Sequence, residues 1–138
     1  MKAHTNTIHG IKQYRVEKED VLLSFSEDGY IKIWSCDYLT EITKIDHEQP
    51  VRSASVISND GFKYIVAGSY IKDFPVAIYS FSGSFLNQFK VKGYTFNVDG
   101  YNDEVTGKTF VFASTFQPYQ LHVFDFESTE KLYTIDTI

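Results

Sequence analysis

The chain has 138 residues and a formal net charge of −5, from 13 Lys and Arg against 18 Asp and Glu. Its length is that of a single domain over residues 1–138. The acidic balance argues against non-specific binding to nucleic acid or to an anionic membrane surface, because both need clustered positive charge. Aromatic residues make up 17% of the chain and there are only 3 Pro, which excludes wholesale disorder and favours β-strands.

Twelve short strands are predicted in chain order, four in each of three units, separated by turn residues. They span residues 8–14, 20–26, 30–35 and 41–46 in the first unit, 51–57, 63–69, 75–80 and 84–91 in the second, and 94–101, 109–115, 120–126 and 130–136 in the third. The tightest predicted hairpin is Glu27-Asp28-Gly29, where Gly29 supplies a positive φ. No long stretch offers a helix with an apolar stripe, so the predicted class is all-β.

The three units are repeats of about 45 residues. Trp34, Tyr79 and Phe124 are each 45 residues apart and each ends an apolar, variable, β-branched, aromatic pattern. The repeats run over about 4–46, 47–92 and 93–138. A regular period of this length is the mark of repeated structural units that stack on their neighbours.

The second predicted strand of each of the first two units is apolar almost without interruption, at Val21–Leu23 and at Tyr64–Ala67. Such a strand is buried on both faces. A single four-stranded sheet cannot bury both of its faces, so each sheet is expected to stack against neighbouring sheets.

At residues Ser24–Ser35 the sequence resembles the WD40 repeat family, whose repeats end in Ser-Gly-Ser-x-Asp-Gly-x-Ile-x-x-Trp-Asp. Ser35 replaces the last Asp, and Ala3 stands where the family has the Gly of a Gly-His pair. The second and third repeats diverge further. The resemblance implies a segment of a β-propeller, with three four-stranded antiparallel blades.

The resemblance also implies a hydrogen-bonded structural tetrad in the first repeat, formed by His4, Ser24 (or Ser26), Asp28 and Trp34. A buried Trp N–H needs such a partner because it can only donate. The other two repeats have lost the tetrad, since His47 faces Ala67 and Tyr79 in the family alignment and Tyr94 faces Ala113 and Phe124. We expect aromatic packing to hold those two blades instead.

Catalytic interpretations of these residues are weaker than structural ones. His4, Ser24 and Asp28 resemble a hydrolase triad in type, but a triad Ser lies exposed beside an oxyanion site and this one lies within a strand. The segment Gly107–Thr109 lacks the first glycine of a phosphate-binding loop and leads into a strand, not a helix. We therefore expect no enzyme activity and no cofactor.

Metal binding is not favoured either. The four histidines lack metal-ligand spacing, and His122 is expected to be a solvated or rim residue. Asp99, Asp103 and Glu104 do not follow a calcium-loop pattern and are better interpreted as a solvated acidic turn. Cys36 is the single cysteine, which excludes an internal disulfide.

Two connections between the second and third strands of a repeat carry aromatic residues and a Pro, at residues 70–75 and 116–120. In the geometry of the family they lie at the same end of the disc as the connections between blades. Aromatic residues on rigid loops are typical of protein-binding surfaces, although these rings can also pack between blades. The candidate binding residues are His47, Tyr70, Phe74, Tyr94, Phe116 and Tyr119.

The function implied by the resemblance is a non-catalytic scaffold for protein–protein interaction. Three blades do not close a ring, so we expect either a part of a larger propeller or a ring completed by another chain. One alternative is a propeller with a ligand or enzymatic site at the channel mouth, which needs titratable residues converging from several blades. Another is a twelve-strand barrel or sandwich, which does not explain the period.

A cytoplasmic location is expected. The sequence lacks a secretory signal and an Asn-x-Ser/Thr sequon, and no apolar run approaches the roughly 18 residues that cross a bilayer.

Overall fold

The computed structural model describes residues 2–136, and these residues form twelve strands and no helix. The strands are β1 (Ile8–Val16), β2 (Glu19–Ser26), β3 (Tyr30–Ser35), β4 (Glu41–Asp46), β5 (Ser53–Asn59), β6 (Phe62–Gly68), β7 (Val76–Ser80), β8 (Phe85–Phe89), β9 (Tyr94–Asn102), β10 (Thr109–Phe116), β11 (Gln120–Asp125) and β12 (Lys131–Asp136). They make three four-stranded antiparallel sheets of consecutive strands. The predicted all-β class and three-blade arrangement are confirmed. We call the sheets blades 1, 2 and 3 in chain order.

The tight turn of blade 1 forms as its sequence predicts. Gly29 has a φ of +88°, a left-handed backbone conformation that residues other than glycine rarely adopt. Its N–H donates to the carbonyl of Ser26 at 3.2 Å, and its own carbonyl accepts from the N–H of His47 at 2.9 Å. This turn therefore binds the connection that leads into blade 2.

Two separate cores lie between the blades. Leu23 and Ile33 of blade 1 belong to the same buried cluster as Ile65 of blade 2, and Val66 belongs to a second cluster with Val111 of blade 3. Ile65 and Val66 are consecutive, so β6 is buried on both faces as predicted. Each such side chain contributes about 1.5–3 kcal/mol when it leaves water.

Glycines allow the inner strands of neighbouring blades to approach closely. The blades touch mainly through β1, β5 and β9. A Cβ on Gly100 would collide with the side chain of Ile57, and one on Gly68 would lie 2.6 Å from Thr95 Cγ2. The three blades therefore converge at their inner strands, as wedges do.

The two outer faces of the stack differ from the two cores because no blade covers them. On blade 1, Ile11, Leu22 and Trp34 line an apolar hollow of about 220 Å³. Leu22 is only half-buried, so the prediction that Val21–Leu23 is buried on both faces is wrong. On blade 3 the strict alternation along β10 leaves Phe110 and other apolar side chains half-exposed on the outer side.

Candidate functional site

The predicted tetrad residues of blade 1 are joined by short hydrogen bonds. Ser24 Oγ lies 2.7 Å from His4 Nε2 and accepts from Trp34 Nε1 at 2.9 Å. His4 Nδ1 lies 3.0 Å from Asp28 Oδ2. When the neutral His4 imidazole carries its proton on Nδ1, every hydrogen bond of this network has one donor and one acceptor: His4 donates to Asp28, Ser24 donates to His4, and Trp34 donates to Ser24. Ser24 is buried and held on two sides, which is unlike an exposed nucleophile.

Asp28 also connects this network to the backbone. Its oxygens accept from the N–H of Thr5 at 3.0 Å and of Tyr30 at 2.9 Å. Burial opposes ionisation, but these two donors and the His4 imidazole together hold the pKa of the Asp28 carboxyl below its usual value. The network thus ties the entry to β1 and the turn between β2 and β3 together at one end of the blade. We call this end, where such turns and the connections between blades meet, the upper edge.

Blade 2 keeps a polar network of different composition, which the sequence alignment missed. His47 Nδ1 lies 2.7 Å from the Tyr79 hydroxyl, and His47 Nε2 lies 2.9 Å from Ser69 Oγ. The expected placement of Tyr79 beside His47 is confirmed, but Ser69 and not Ala67 is the second partner, so the expectation that aromatic packing replaces a hydrogen-bonded network in this blade is wrong. Burial lowers the pKa of His47 to about 4 and raises that of Tyr79 to about 12. Phe74 packs edge-on against the same imidazole at 5.8 Å.

His122 occupies the corresponding region of blade 3. It is only 1% exposed, so the expectation of a solvated or rim position is wrong. The alternation along β11 turns it towards blade 2, where its Nε2 lies 3.3 Å from Thr115 Oγ1 and its ring stacks on Phe124 at 6.1 Å. Burial, followed by the nearby Lys131, lowers the pKa of His122.

Four of the six candidate binding residues meet in one surface cluster with Phe96, which the sequence analysis did not single out. The Tyr70 ring lies 5.0 Å from that of Tyr94, 5.5 Å from that of Phe96 and 6.2 Å from that of Phe116. Phe116 in turn contacts Tyr119 edge-on at 5.0 Å. Exposed fractions of 41% for Tyr70, 45% for Phe96 and 55% for Tyr119 place this cluster, the aromatic rim, at the surface. His47 is buried instead, and Phe74 is half-buried against it.

Backbone contacts hold the aromatic rim in place. The N–H of Asp73 donates to the carbonyl of Gly93 at 2.8 Å, and the N–H of Gly93 donates to Asp73 Oδ1 at 2.7 Å. Gly93 has a φ of +85°, and a Cβ there would lie 2.7 Å from the carbonyl oxygen of Phe116. Only glycine fits this close approach of the connections from blades 2 and 3.

Titratable residues from two blades, with an aromatic ring from the third, surround a hollow of about 390 Å³ beside the aromatic rim. His9 Nε2 lies 2.7 Å from Glu27 Oε2, and the Arg52 guanidinium lies 4.5 Å from the centre of the Phe96 ring. Pro50 and Tyr70 complete the lining of what we call the inner hollow. The sequence pattern does not predict this convergence, since its one local signal is a lone Arg just before an apolar strand.

The described residues include no group of three or more His, Cys, Asp or Glu side chains that could hold a metal ion. Asp103 instead caps its own turn: its carboxylate accepts from the Thr106 hydroxyl at 2.9 Å and from the N–H of Val105 at 3.0 Å. Glu104 is exposed beside it. Over residues 2–136, no helix has the length and apolar character needed to cross a membrane.

Comparison with known proteins found no family model that matches this chain and no curated protein that matches it.

Proposed function

We propose that this chain is a non-catalytic, protein-binding scaffold of WD40 type that uses the aromatic rim as its contact surface. The observation that carries the proposal is the meeting of Tyr70, Phe96, Phe116 and Tyr119 at one end of a rigid stack of sheets. Large, partly exposed rings on a fixed framework are typical of binding hot spots, because they desolvate a large area with little loss of side-chain entropy.

The rigidity of the rim supports this function. Tyr94 and Phe116 are paired residues of β9 and β10. Gly93, immediately before β9, is hydrogen-bonded to Asp73 of the connection that carries Tyr70. A surface already ordered before binding loses less entropy when a partner docks.

The WD40 type is supported by the equivalent places of Trp34, Tyr79 and Phe124. Each lies on the third strand of its blade and pairs with an apolar residue of the second strand. The backbone position is therefore repeated, whereas the polar or aromatic contact of the ring differs between the blades.

The uncovered faces of blades 1 and 3 support the proposal that the three blades are completed into a ring by further blades or by another chain. Exposed apolar faces favour association. Sedimentation velocity at micromolar concentration is expected to show association of the isolated chain. A well-behaved 15.9 kDa monomer with cooperative melting would contradict ring completion.

Binding by the rim is tested with Tyr119→Ala against Phe62→Ala. Phe62 is 67% exposed at the turn between β5 and β6, the opposite end of blade 2, so it controls for the loss of an exposed ring. Peptides selected from a random 12-residue display library on the wild-type protein serve as the probe, with Kd measured by fluorescence polarisation. Tyr119→Ala is expected to weaken binding about 10-fold or more, while Phe62→Ala leaves it unchanged.

A third variant separates binding from packing. Phe74 contacts buried His47, so Phe74→Ala is expected to lower the melting temperature. Tyr119→Ala is expected to leave it within about 2 °C, since surface substitutions rarely change stability by more than about 0.5 kcal/mol. Equal peptide affinity in wild type and Tyr119→Ala, or a library that yields no binders, would refute the proposed function.

A further inference from the structure

The inner hollow lies where the inner strands of all three blades begin. Arg52 immediately precedes β5, while His9 and Phe96 occupy irregular positions in β1 and β9: the strand register shifts between Ile8 and Gly10, and between the partners of Thr95 and Asn97. Such bulges re-aim a side chain away from the regular alternation of a strand. Both bulged residues line the same hollow as Arg52.

Arg52 has its backbone and its ring contact fixed, but the N–H groups of its guanidinium have no acidic side chain as a partner among the described residues. Its backbone N–H donates to the carbonyl of Gly68 at 2.9 Å, and the Cζ of its guanidinium lies 4.5 Å from the centre of the Phe96 ring. Among the described residues no carboxylate forms an ion pair with it. The other arginine of the chain, Arg15, pairs with Asp20 at 2.9 Å.

The other charged groups near Arg52 have hydrogen-bond partners of their own. The Glu27 carboxylate is engaged with His9 at 2.7 Å. On the far side of His9, Lys12 donates to Ser55 Oγ at 2.7 Å. Lys12 is also attracted by Asp99, although burial has the larger effect and lowers its pKa. Arg52 is therefore the cation in this hollow that lacks an acidic partner.

We propose that the inner hollow binds the carboxylate of an Asp or Glu side chain of a partner protein, with Arg52 as the bidentate donor and an adjacent apolar residue of the same segment on the aromatic rim. This inference rests on the proposed function, because the two contacts share Tyr70 and Phe96. A planar guanidinium with parallel N–H groups matches a carboxylate in geometry and charge.

A carboxylate fits this hollow better than a phosphoryl group. One acidic side chain brings a single negative charge, which Arg52 balances. A phosphoserine brings about −1.5 to −2 charges at neutral pH, and the excess would lie beside Glu27. The favoured ligand is therefore an unmodified acidic segment.

The two arginines make the test direct, because the chain gives only two arginine Nε–H signals in a ¹⁵N spectrum. The probe is N-acetyl-Glu-Phe-amide, with the neutral N-acetyl-Gln-Phe-amide as its matched control. Arg52→Gln and Arg15→Gln assign the two signals and serve as target and control variants. The Glu probe is expected to shift the Arg52 signal and not the Arg15 signal, with about 10-fold weaker binding for the Gln probe and for Arg52→Gln.

Arg52→Lys keeps the charge and removes the fork, so it is expected to bind with intermediate affinity. Equal shifts of both arginine signals, or equal affinity for the Glu and Gln probes, would overturn the proposal. A phosphoserine probe that binds more tightly than the Glu probe would overturn the choice of a carboxylate.

Failure here is distinguishable from failure of the proposed function. If both probes shift the ring signals of Tyr70 and Tyr119 without affecting Arg52, the rim binds but the acidic preference is wrong. If selected peptides bind Tyr119→Ala as tightly as wild type while the Arg52 signal still responds to the Glu probe, the acidic pocket stands without the rim.

Discussion

Replacing Ser24 with Ala would remove the one atom that joins His4 to Trp34. Ser24 Oγ accepts from the indole N–H at 2.9 Å and lies 2.7 Å from His4 Nε2. Without it, two polar atoms at the buried end of the network lose their partners. Each unsatisfied buried group costs about 1–3 kcal/mol, so we expect the free energy of unfolding to fall by about 2–6 kcal/mol. For a chain of this length the melting temperature should fall by roughly 10 °C or more.

The measurement is urea unfolding with linear extrapolation, using Ser114→Ala as the matched control. Ser114 lies on β10, is half-buried and makes no side-chain hydrogen bond with another described residue. Its replacement is expected to change the free energy of unfolding by less than about 0.5 kcal/mol. The two variants remove the same atom from the same residue type, so their difference reports the network.

A double-mutant cycle makes the test stricter. Trp34→Phe keeps a ring but removes the N–H donor, so in the Ser24→Ala background it eliminates an unpaired group instead of creating one. The double variant should therefore be more stable than the sum of the two single changes predicts, by about 1 kcal/mol. Additive effects, or a loss below about 0.5 kcal/mol for Ser24→Ala, would refute the interpretation of this network as a stabilising one.

Two further predictions concern blade 2 and its connection to blade 3. Burial lowers the pKa of His47 from 6.5 to about 4. As the pH falls from 6.5 to about 4, the unfolded chain therefore takes up a proton at His47 that the folded chain does not. The free energy of unfolding should fall by roughly 3 kcal/mol over this pH range. Urea unfolding at a series of pH values checks this, and His47→Gln should flatten the profile. Gly93→Ala should lower the free energy of unfolding by about 2 kcal/mol more than Gly107→Ala in the same assay. Both glycines have a positive φ, but only at Gly93 would the added Cβ lie 2.7 Å from a carbonyl oxygen, that of Phe116. Equal losses would show that the conformation of Gly93, and not its close contact, matters.

The strand pattern could be predicted because it depends on local properties. Turn residues such as Gly29 specify where a strand ends without knowledge of its neighbours. Burial on both faces also needs a covering blade, which Tyr64–Ala67 has and Leu22 lacks. The period that relates Trp34, Tyr79 and Phe124 then places all three on third strands, where the structure has them.

The side-chain partners could not be predicted to the same degree, because they depend on register between strands. An alignment by landmarks placed Ala67 opposite His47, whereas Ser69, two residues later, makes the hydrogen bond. At His9 and Phe96 a register shift changes which side chains reach the hollow, and an alternating pattern contains no sign of it. Arg52 therefore gained its significance only once three strands from three blades were placed side by side.

The corresponding upper-edge positions of the blades carry different side-chain chemistry on the same strand arrangement. In blade 1 the position is filled by a charged network around Asp28, and in blade 2 by the neutral pair of His47 and Tyr79. Both join the connection before the first strand to the region between the second and third. Different chemistries therefore satisfy the same structural requirement at this edge. Phe74 and Tyr70 share one such loop, yet the first packs on His47 and the second belongs to the exposed rim. If the rim is the contact surface that we propose, substitution of Tyr70 should affect binding more than folding, and substitution of Phe74 should do the reverse.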